Sequence, residues 1–418
     1  MALLIYDIGI RGYKLLLHIG ALFNQKAKAF IQGRKNWKEE LLKVTSAKTS
    51  WIWFHCASLG EFEQARPLIE AIKTKYPQYK ILLSFFSPSG YSICKNYEHA
   101  DAVMYMPLDT KVNAAFFVNT LKPILAVFVK YEFWYHHLNE LRKNRIDTLL
   151  ISAAFRKDQH FFKWYGNFFR KMLHCFTTIF VQDKDSAHLL EKTGFKENVF
   201  ISGDTRYDRV AEIAATTSGI PPVEYFLNGA DVFIAGSTWE KDEQIIHDSL
   251  DAIPSNWKII IAPHEIHKAR LEYLQKLFDN KMILFSQIDS SKPAGGKKVL
   301  VIDNIGMLSS LYAYGRIAYV GGGFQKGGIH NVLEPAVFGL PVIFGTHYEK
   351  FIEAVKLKQN GFAYSISDSE ELKSTIDELL NNNDKLLQLK NSLSEYMRSK
   401  AGATTTIMQH IGKYIHSV

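Results

Sequence analysis

The feature that most constrains this chain is a repeated alternation of short, β-rich apolar runs with amphipathic helical stretches. WIWFHCAS (51–58), KILLSFF (80–86), AVMYMP (102–107), ILAVFV (124–129), DTLLIS (147–152) and TTIFVQ (177–182) form one series. After Pro221-Pro222 the pattern restarts with DVFIAGS (231–237), WKIIIAP (257–263), KMILFS (281–286), KVLVID (298–303), RIAYVGG (316–322) and LPVIFG (340–345). Continuous apolar strands separated by helices belong in parallel sheets covered on both faces. The chain therefore reads as two doubly wound α/β domains, joined between Asp208 and Ala230. Its 418 residues also exceed what one core encloses, since single cores stop growing near roughly 250–300 residues. Ligands of such sheets bind beyond the carboxyl ends of the strands, so unusual residues there are the candidates.

Composition narrows the classes. Hydrophobic residues are 47% and charged residues 22%, which excludes wholesale disorder. Cys56, Cys94 and Cys175 are too few and too widely spaced for a disulfide framework or a CxxC zinc site, and suit a reducing compartment. No run of 18 apolar residues occurs, which excludes a conventional membrane span. The net charge of +8 is lopsided: through Arg209 there are 30 Lys and Arg against 19 Asp and Glu, and beyond it 20 against 23. A basic half suits an anionic surface or substrate. Nucleic acid is not expected, because no binding signature accompanies the charge.

Within the apolar segment Met1–Phe23, the residues Asp7, Arg11, Lys14 and His18 recur at helical spacing and form one narrow polar stripe. Lys26, Lys28, Arg34, Lys35 and Lys38 follow, with Trp37 among them. Charges inside the apolar region and no convincing cleavage site argue against a secretory signal. A wide apolar face followed by basic residues predicts a helix lying in the cytoplasmic leaflet. The competing reading is a helix docked on the protein's own core.

Four strings fall at strand exits. HCASLGE places Glu61 where a helix begins, in the positive field of its N-terminus, as a general base or as a plain capping carboxylate. VKYEFWYHH places Glu132 among aromatics, either as a second acid with shifted proton affinity or as a solvated neighbour of an aromatic anchor. GDTRYDR offers Arg206 as a phosphate grip, or as an interdomain salt bridge with Asp208 or another acid. VGGGFQKGGIHNVLEPAVFGLPVIFG ends a strand in glycines and starts a helix near His330 or Asn331. Its glycines let backbone approach a ligand, its helix start offers N–H groups to a phosphate, and Glu334 can accept from ribose hydroxyls. That glycine order is not GxGxxG, so a hydride-transfer cofactor is disfavoured. GSTWEKDE (236–243), APH with His264, and DNIGML with Ile305, Gly306 and Met307 add smaller signals. No carboxylate–His cluster has convincing metal spacing, so neither metal nor cofactor is expected.

Taken in order, HCASLGE, KYEFW, GDTRYD, GST, APH, DNIGML and GGGFQKGGIHNVLEPA resemble the 3-deoxy-D-manno-octulosonic acid (Kdo) transferases of lipopolysaccharide synthesis. The likeness extends from the N-terminal segment to about residue 365. It implies a GT-B fold, two Rossmann-like domains facing a central cleft, preceded by an amphipathic anchor helix. The corresponding divisions are 1–35 for the membrane-anchoring segment, 36–215 for the acceptor domain and 216–418 for the CMP-Kdo domain, with the last helix expected to cross back to the first. The resemblance makes Glu61 the general base, Glu132 a second essential acid and Arg206 the basic residue where the family usually has Lys. Donor contacts carry over to Pro263 and His264, to Ile305-Gly306-Met307, and to Asn331-Val332-Leu333-Glu334.

Three departures accompany the likeness. The family's Trp-Pro-Asn reads Trp134-Tyr135-His136, its Asn reads Asp204, and its Pro-Arg-His reads Ala262-Pro263-His264. The implied activity is inverting transfer of Kdo from CMP-Kdo to a lipid A precursor, by a peripheral enzyme on the cytoplasmic side of the inner membrane. A GT-B transferase using a UDP-sugar, a sugar-nucleotide epimerase and a catalytically inactive sugar-nucleotide-binding protein are the alternatives.

Overall fold

The structure is a computed structural model describing residues 1–47, 49–289, 296–381 and 383–415. The chain divides into two compact units: Met1–Arg209 with the segment from Lys400 onward, and Val210–Ser399. The division falls inside the helix Thr205–Thr216, where the sequence offers no break.

The first unit holds strands β1 (Trp51–Cys56), β2 (Lys80–Phe85), β3 (Ala102–Tyr105), β4 (Leu125–Val129), β5 (Asp147–Ala153), β6 (Thr178–Val181) and β7 (Val199–Ile201). The second holds β8 (Val232–Thr238), β9 (Lys258–Pro263), β10 (Met282–Leu284), β11 (Val299–Val301), β12 (Ile317–Val320), β13 (Val342–Phe344) and β14 (Ala363–Ser365). Both sheets are parallel, in the orders β3-β2-β1-β4-β5-β6-β7 and β10-β11-β9-β8-β12-β13-β14. The apolar runs become strands because helices cover both faces; β1, for example, is buried at every position. Strand order reverses at β1/β4 in the first sheet and at β8/β12 in the second. Such a switch point opens a crevice beyond the strand ends. The HCASLGE and KYEFW strings leave β1 and β4, whereas GST and GGGFQKGG leave β8 and β12. Each pair of motifs flanks its own unit's switch point.

Three helices precede β1: α1 (Ala2–Gly20), α2 (Gln25–Gln32) and α3 (Trp37–Val44). No residue of α1 is fully buried. It docks through the side that carries Tyr6 and Asp7. The Tyr6 hydroxyl donates to Asp109 at 2.5 Å, and Asp7 meets the His136 ring at 2.6 Å. Asp109 is wholly buried and also accepts from the main-chain N–H groups of His136 and His137. Burial opposes its charge, but His137, Tyr6 and those N–H groups hold the carboxyl below its ordinary value. Leu4, Ile5, Ile8, Leu15, Leu16 and Ile19 on α1 remain exposed. Among the described residues no helix is long and apolar enough to cross a membrane.

At the other end of the chain, the helix Ala403–Ile415 buries Ile407, Ile411 and Ile415 in the first unit's core. Asp208 caps it by accepting from the N–H groups of Gly402 and Thr404, at 2.5 and 2.6 Å.

Candidate functional site

Glu61 lies in the first turn of α4 (Leu59–Lys75), which has Ser58 as its N-cap. The Ser58 hydroxyl donates to the Glu61 carboxylate. This fixes the acid beside the helix N-terminus, where the aligned peptide dipoles favour a negative charge. Glu132 follows β4 after Lys130, which takes a left-handed backbone conformation (φ 63°) and turns the chain out of the sheet. His55 at the end of β1 pairs in register with Phe128 of β4, and its Nε2 reaches Glu132 at 3.0 Å. Trp134 Nε1 donates to the same carboxylate oxygen at 2.6 Å. Behind His55, Ser84 of β2 contacts Nδ1 at 2.9 Å and accepts from Trp53 Nε1 at 2.7 Å. His55, Ser84 and Trp53 are fully buried, and Glu132 is 9% exposed.

Cys56 ends β1, and its thiol is pushed well up by burial first and then by the charges of Glu61 and Glu132, so both acids act on one point. Arg206 stands in the first turn of the helix Thr205–Thr216, which follows β7. Its guanidinium donates to Asp204, within the same unit, through Nε at 3.0 Å and NH2 at 2.7 Å. Burial opposes the Asp204 charge, but Arg206 and Gln64 outweigh it and hold the carboxyl below its ordinary value. Gln64 stands on α4 one turn beyond Glu61 and donates to Asp204 at 3.2 Å. The charge of Arg206 also acts on Tyr131, next to Glu132.

The second unit is built differently. Gly321 leaves β12 where a Cβ would strike the Thr238 backbone at 2.7 Å, and a Cβ on Gly323 would meet the Gly345 backbone at 2.5 Å. These glycines let three strand exits close on one another, in addition to any ligand approach. Asp242 braces the turn, accepting from the N–H groups of Trp239 and Gly322 and from the Tyr319 hydroxyl, at 2.9, 3.0 and 2.7 Å. The helix after the glycine loop is a single turn, Leu333–Ala336, and starts later than His330 or Asn331. The Asn331 side chain accepts from Leu333 N–H at 3.1 Å and so holds the preceding residues in a local turn.

Glu334 accepts from Asn331 Nδ2 and from Ser309, both at 3.0 Å, which brings the DNIGML and HNVLEP strings together. Gly306 takes φ +97°, has open space around it, and follows an Ile305 that is 91% exposed. Val332 and Leu333 are buried. Pro263 is buried at the end of β9. His264 is exposed and stacks between Trp239 (4.8 Å) and His330 (4.2 Å). Trp239 Nε1 donates to His330 Nε2 at 3.2 Å. Burial, and then the neighbouring His264 ring, lower the His330 pKa to about 4, which leaves it neutral near pH 7. A cavity of about 310 Å³ adjoins Trp239, with Glu240, His267 and Arg270 in its wall.

Residues 35–209 match the family model described as 3-deoxy-D-manno-octulosonic-acid transferase (kdotransferase). Over that stretch and most of its length, this chain is similar to Kdo transferases. It is 26% identical to the Haemophilus influenzae 3-deoxy-D-manno-octulosonic acid transferase, across 87% of each chain. The Aquifex aeolicus protein of that name is 27% identical over 79% of this chain and 86% of its own. A bifunctional glycosyltransferase/methyltransferase of Fusobacterium nucleatum is 27% identical over 85% of this chain, which spans only 56% of that longer protein. In fold, the chain is similar to the UDP-GlcNAc 2-epimerase of Neisseria meningitidis (TM-score 0.60, 15% identity, 87% of this chain and 100% of that one). A putative UDP-N-acetylglucosamine 2-epimerase from Listeria monocytogenes gives a TM-score of 0.58 at 13% identity, over 88% and 98%. At such identities the likeness is one of architecture, and two seven-stranded parallel sheets with flanking helices are the GT-B plan expected of a Kdo-transferase relative.

The residues that sequence reasoning missed are the supports. His55 and Trp134 sit inside the quoted strings, yet nothing in their spacing marks them as partners of Glu132. Gln64, Asp242, Trp239 and His330 were likewise present in or beside motifs without a readable role.

Proposed function

We propose that this chain is an inverting glycosyltransferase that moves Kdo from CMP-Kdo to a lipid A precursor, lipid IVA, in lipopolysaccharide synthesis. The observation that carries this reading is the placement of Glu61 and Glu132 on the two sides of the β1/β4 switch point, inside the region that matches the Kdo-transferase family. In the reaction, Glu61 takes the proton of the acceptor hydroxyl as that oxygen attacks the anomeric carbon of Kdo. The bond to the CMP phosphate breaks and configuration inverts. Glu132, clamped by His55 and Trp134, holds its carboxyl group at a fixed point beside the acceptor. Arg206, oriented by its fork on Asp204, offsets charge on the departing phosphate.

On the donor side, the backbone of Asn331–Leu333 and the side chain of Glu334 hold the nucleotide, with Ile305-Gly306-Met307 and His264 beside them. The apolar face of α1 rests in the cytoplasmic leaflet of the inner membrane, since the helix packs on the protein through Tyr6, Asp7 and Tyr13 and leaves Leu4, Ile5, Ile8, Leu15, Leu16 and Ile19 exposed.

The deciding experiment incubates the full chain with freshly generated CMP-Kdo and a tetraacyl lipid A precursor and weighs the product by mass spectrometry. A gain of one or more Kdo units, inhibited by CMP and not by UDP, is the expected result. Absence of product with CMP still bound would remove the lipid acceptor; inhibition by UDP alone would favour a UDP-sugar donor.

A further inference from the structure

A cavity of about 580 Å³ lies in the first unit among α1, α2, α3 and the stretch after β3. Lys14, His18, Arg34, Lys35 and Lys38 line it, against one carboxylate, Glu39. Its volume falls in the range of small-molecule sites, roughly 300–1,000 Å³. Leu17, Trp37 and Leu108 supply apolar wall.

Arg34 is the built part of this cavity. Its guanidinium donates to the carbonyl oxygens of Met106 (2.8 Å), Phe30 (3.1 Å) and Phe86 (2.5 Å). It lies 3.5 Å from the centroid of the Phe30 ring and 4.7 Å from that of Tyr105. Gly33 leaves the Tyr105 ring room, because a Cβ there would collide with it. No carboxylate pairs with Arg34, Lys14 or Lys35 among the described residues. Burial lowers the Arg34 pKa to about 9, so it stays charged at neutral pH. A partly buried cation caged by carbonyls and rings, with three lysines beside it, is a fixed positive field with no counter-charge of its own strength.

Packing links the cavity's arginine to the site. Phe86, whose carbonyl holds Arg34, packs at 4.6 Å on Trp134, which donates to Glu132. Along α1 run the exposed Leu15, Leu16 and Ile19, followed just past its end by the exposed Leu22 and Phe23.

From this geometry we infer that the cavity is a subsite for a phosphate monoester of an amphiphilic acceptor, whose acyl chains lie along α1 while its sugar reaches toward Glu132. The inference rests on the proposed lipid acceptor and deepens it. Lys35 and Lys38 bind the phosphate oxygens from the open side, and Arg34 supplies the field from below.

The test uses the full chain and its Lys35→Gln/Lys38→Gln variant. Lys43→Gln/Lys95→Gln, which loses the same charge outside the cavity, is the comparison. Binding is measured to phosphatidylcholine vesicles doped with phosphatidic acid, a monoester, or with phosphatidylglycerol, a diester, at matched surface charge. Transfer kinetics are measured with the tetraacyl bisphosphorylated acceptor. The cavity variant is expected to lose about tenfold in affinity for the phosphatidic acid vesicles, to lose less than threefold for phosphatidylglycerol, and to raise the acceptor KM about tenfold with kcat within twofold. Equal losses on both vesicles, or losses shared by the comparison variant, would overturn the subsite. Selective loss for phosphatidic acid with an unchanged KM would overturn its assignment to the acceptor. If no protein transfers Kdo while the vesicle selectivity holds, the reading of the activity fails and the phosphate subsite stands.

Discussion

The two units share one topology and equip it in opposite ways. The first has 32 Lys and Arg against 19 Asp and Glu, and the second 18 against 23. At its switch point the first unit presents charged side chains, Glu61 and Glu132, with Arg206 nearby, each fixed by another side chain. At its own switch point the second presents backbone, in glycines that pack strand exits together and in short one-turn helices. Under the proposed reaction the contrast follows from task. Proton transfer needs a group of chosen basicity at a fixed point, which only a side chain supplies, whereas holding a nucleotide phosphate and ribose suits backbone N–H groups and close approach.

The contrast breaks first, and most severely, at Glu61. Glu61→Gln should lower kcat about a thousandfold, within the usual range for losing a general base, while CMP affinity stays within twofold by titration calorimetry. A loss of CMP binding of the same size would mean that the first unit also shapes the donor site. Next comes the support of Glu132. His55→Ala strips a buried partner from a nearly buried carboxylate and should cost about 3 kcal/mol of stability in denaturant unfolding. His55→Gln, which keeps a polar group there, should recover part of it.

On the backbone side, Gly323→Ala forces a methyl into the Gly345 main chain and should raise the KM for CMP-Kdo about tenfold with kcat little changed. A fall in kcat at constant KM would contradict the division of labour. The smallest effect sharpens the contrast through pH. His330 binds its proton more weakly folded than unfolded, so the unfolded state takes up more protons as pH falls from about 6.5 toward 4, and stability is lost across that window. His330→Gln should therefore show a melting temperature roughly 3 °C less sensitive to a change from pH 7 to pH 5 than the parent protein.

The chain's two terminal helices show how far sequence carries. Both are apolar on one side, and the helix Ala403–Ile415 turns that side inward, burying Ile407, Ile411 and Ile415. Helix α1 turns its apolar side outward and docks by Tyr6 and Asp7. Periodicity defines a face but not a direction. What selects it is a partner far along the chain, Asp109 and His136 for α1 and the β1/α4 core for the last helix.

The strands were legible because apolar runs bounded by turn residues have few other outcomes, although the three-residue edge strand β14 is too short to carry that signal. The positions of Glu61, Glu132 and Arg206 just past strands were legible from the motifs that hold them. Their supports were not: His55 and Glu132 are 77 positions apart, Gln64 and Asp204 are 140 apart, and neither pair has any local spacing to betray it.

Sequence by itself determined two α/β units, the strand exits that bear the motifs and the family likeness, because these depend on local composition and order. Tertiary structure alone decided which exits flank a switch point, which side of α1 meets the protein, and that an arginine would be caged beside three lysines. Those are outcomes of long-range pairing: strand order and buried hydrogen bonds are fixed only when the whole unit closes and every polar group inside it must find a partner.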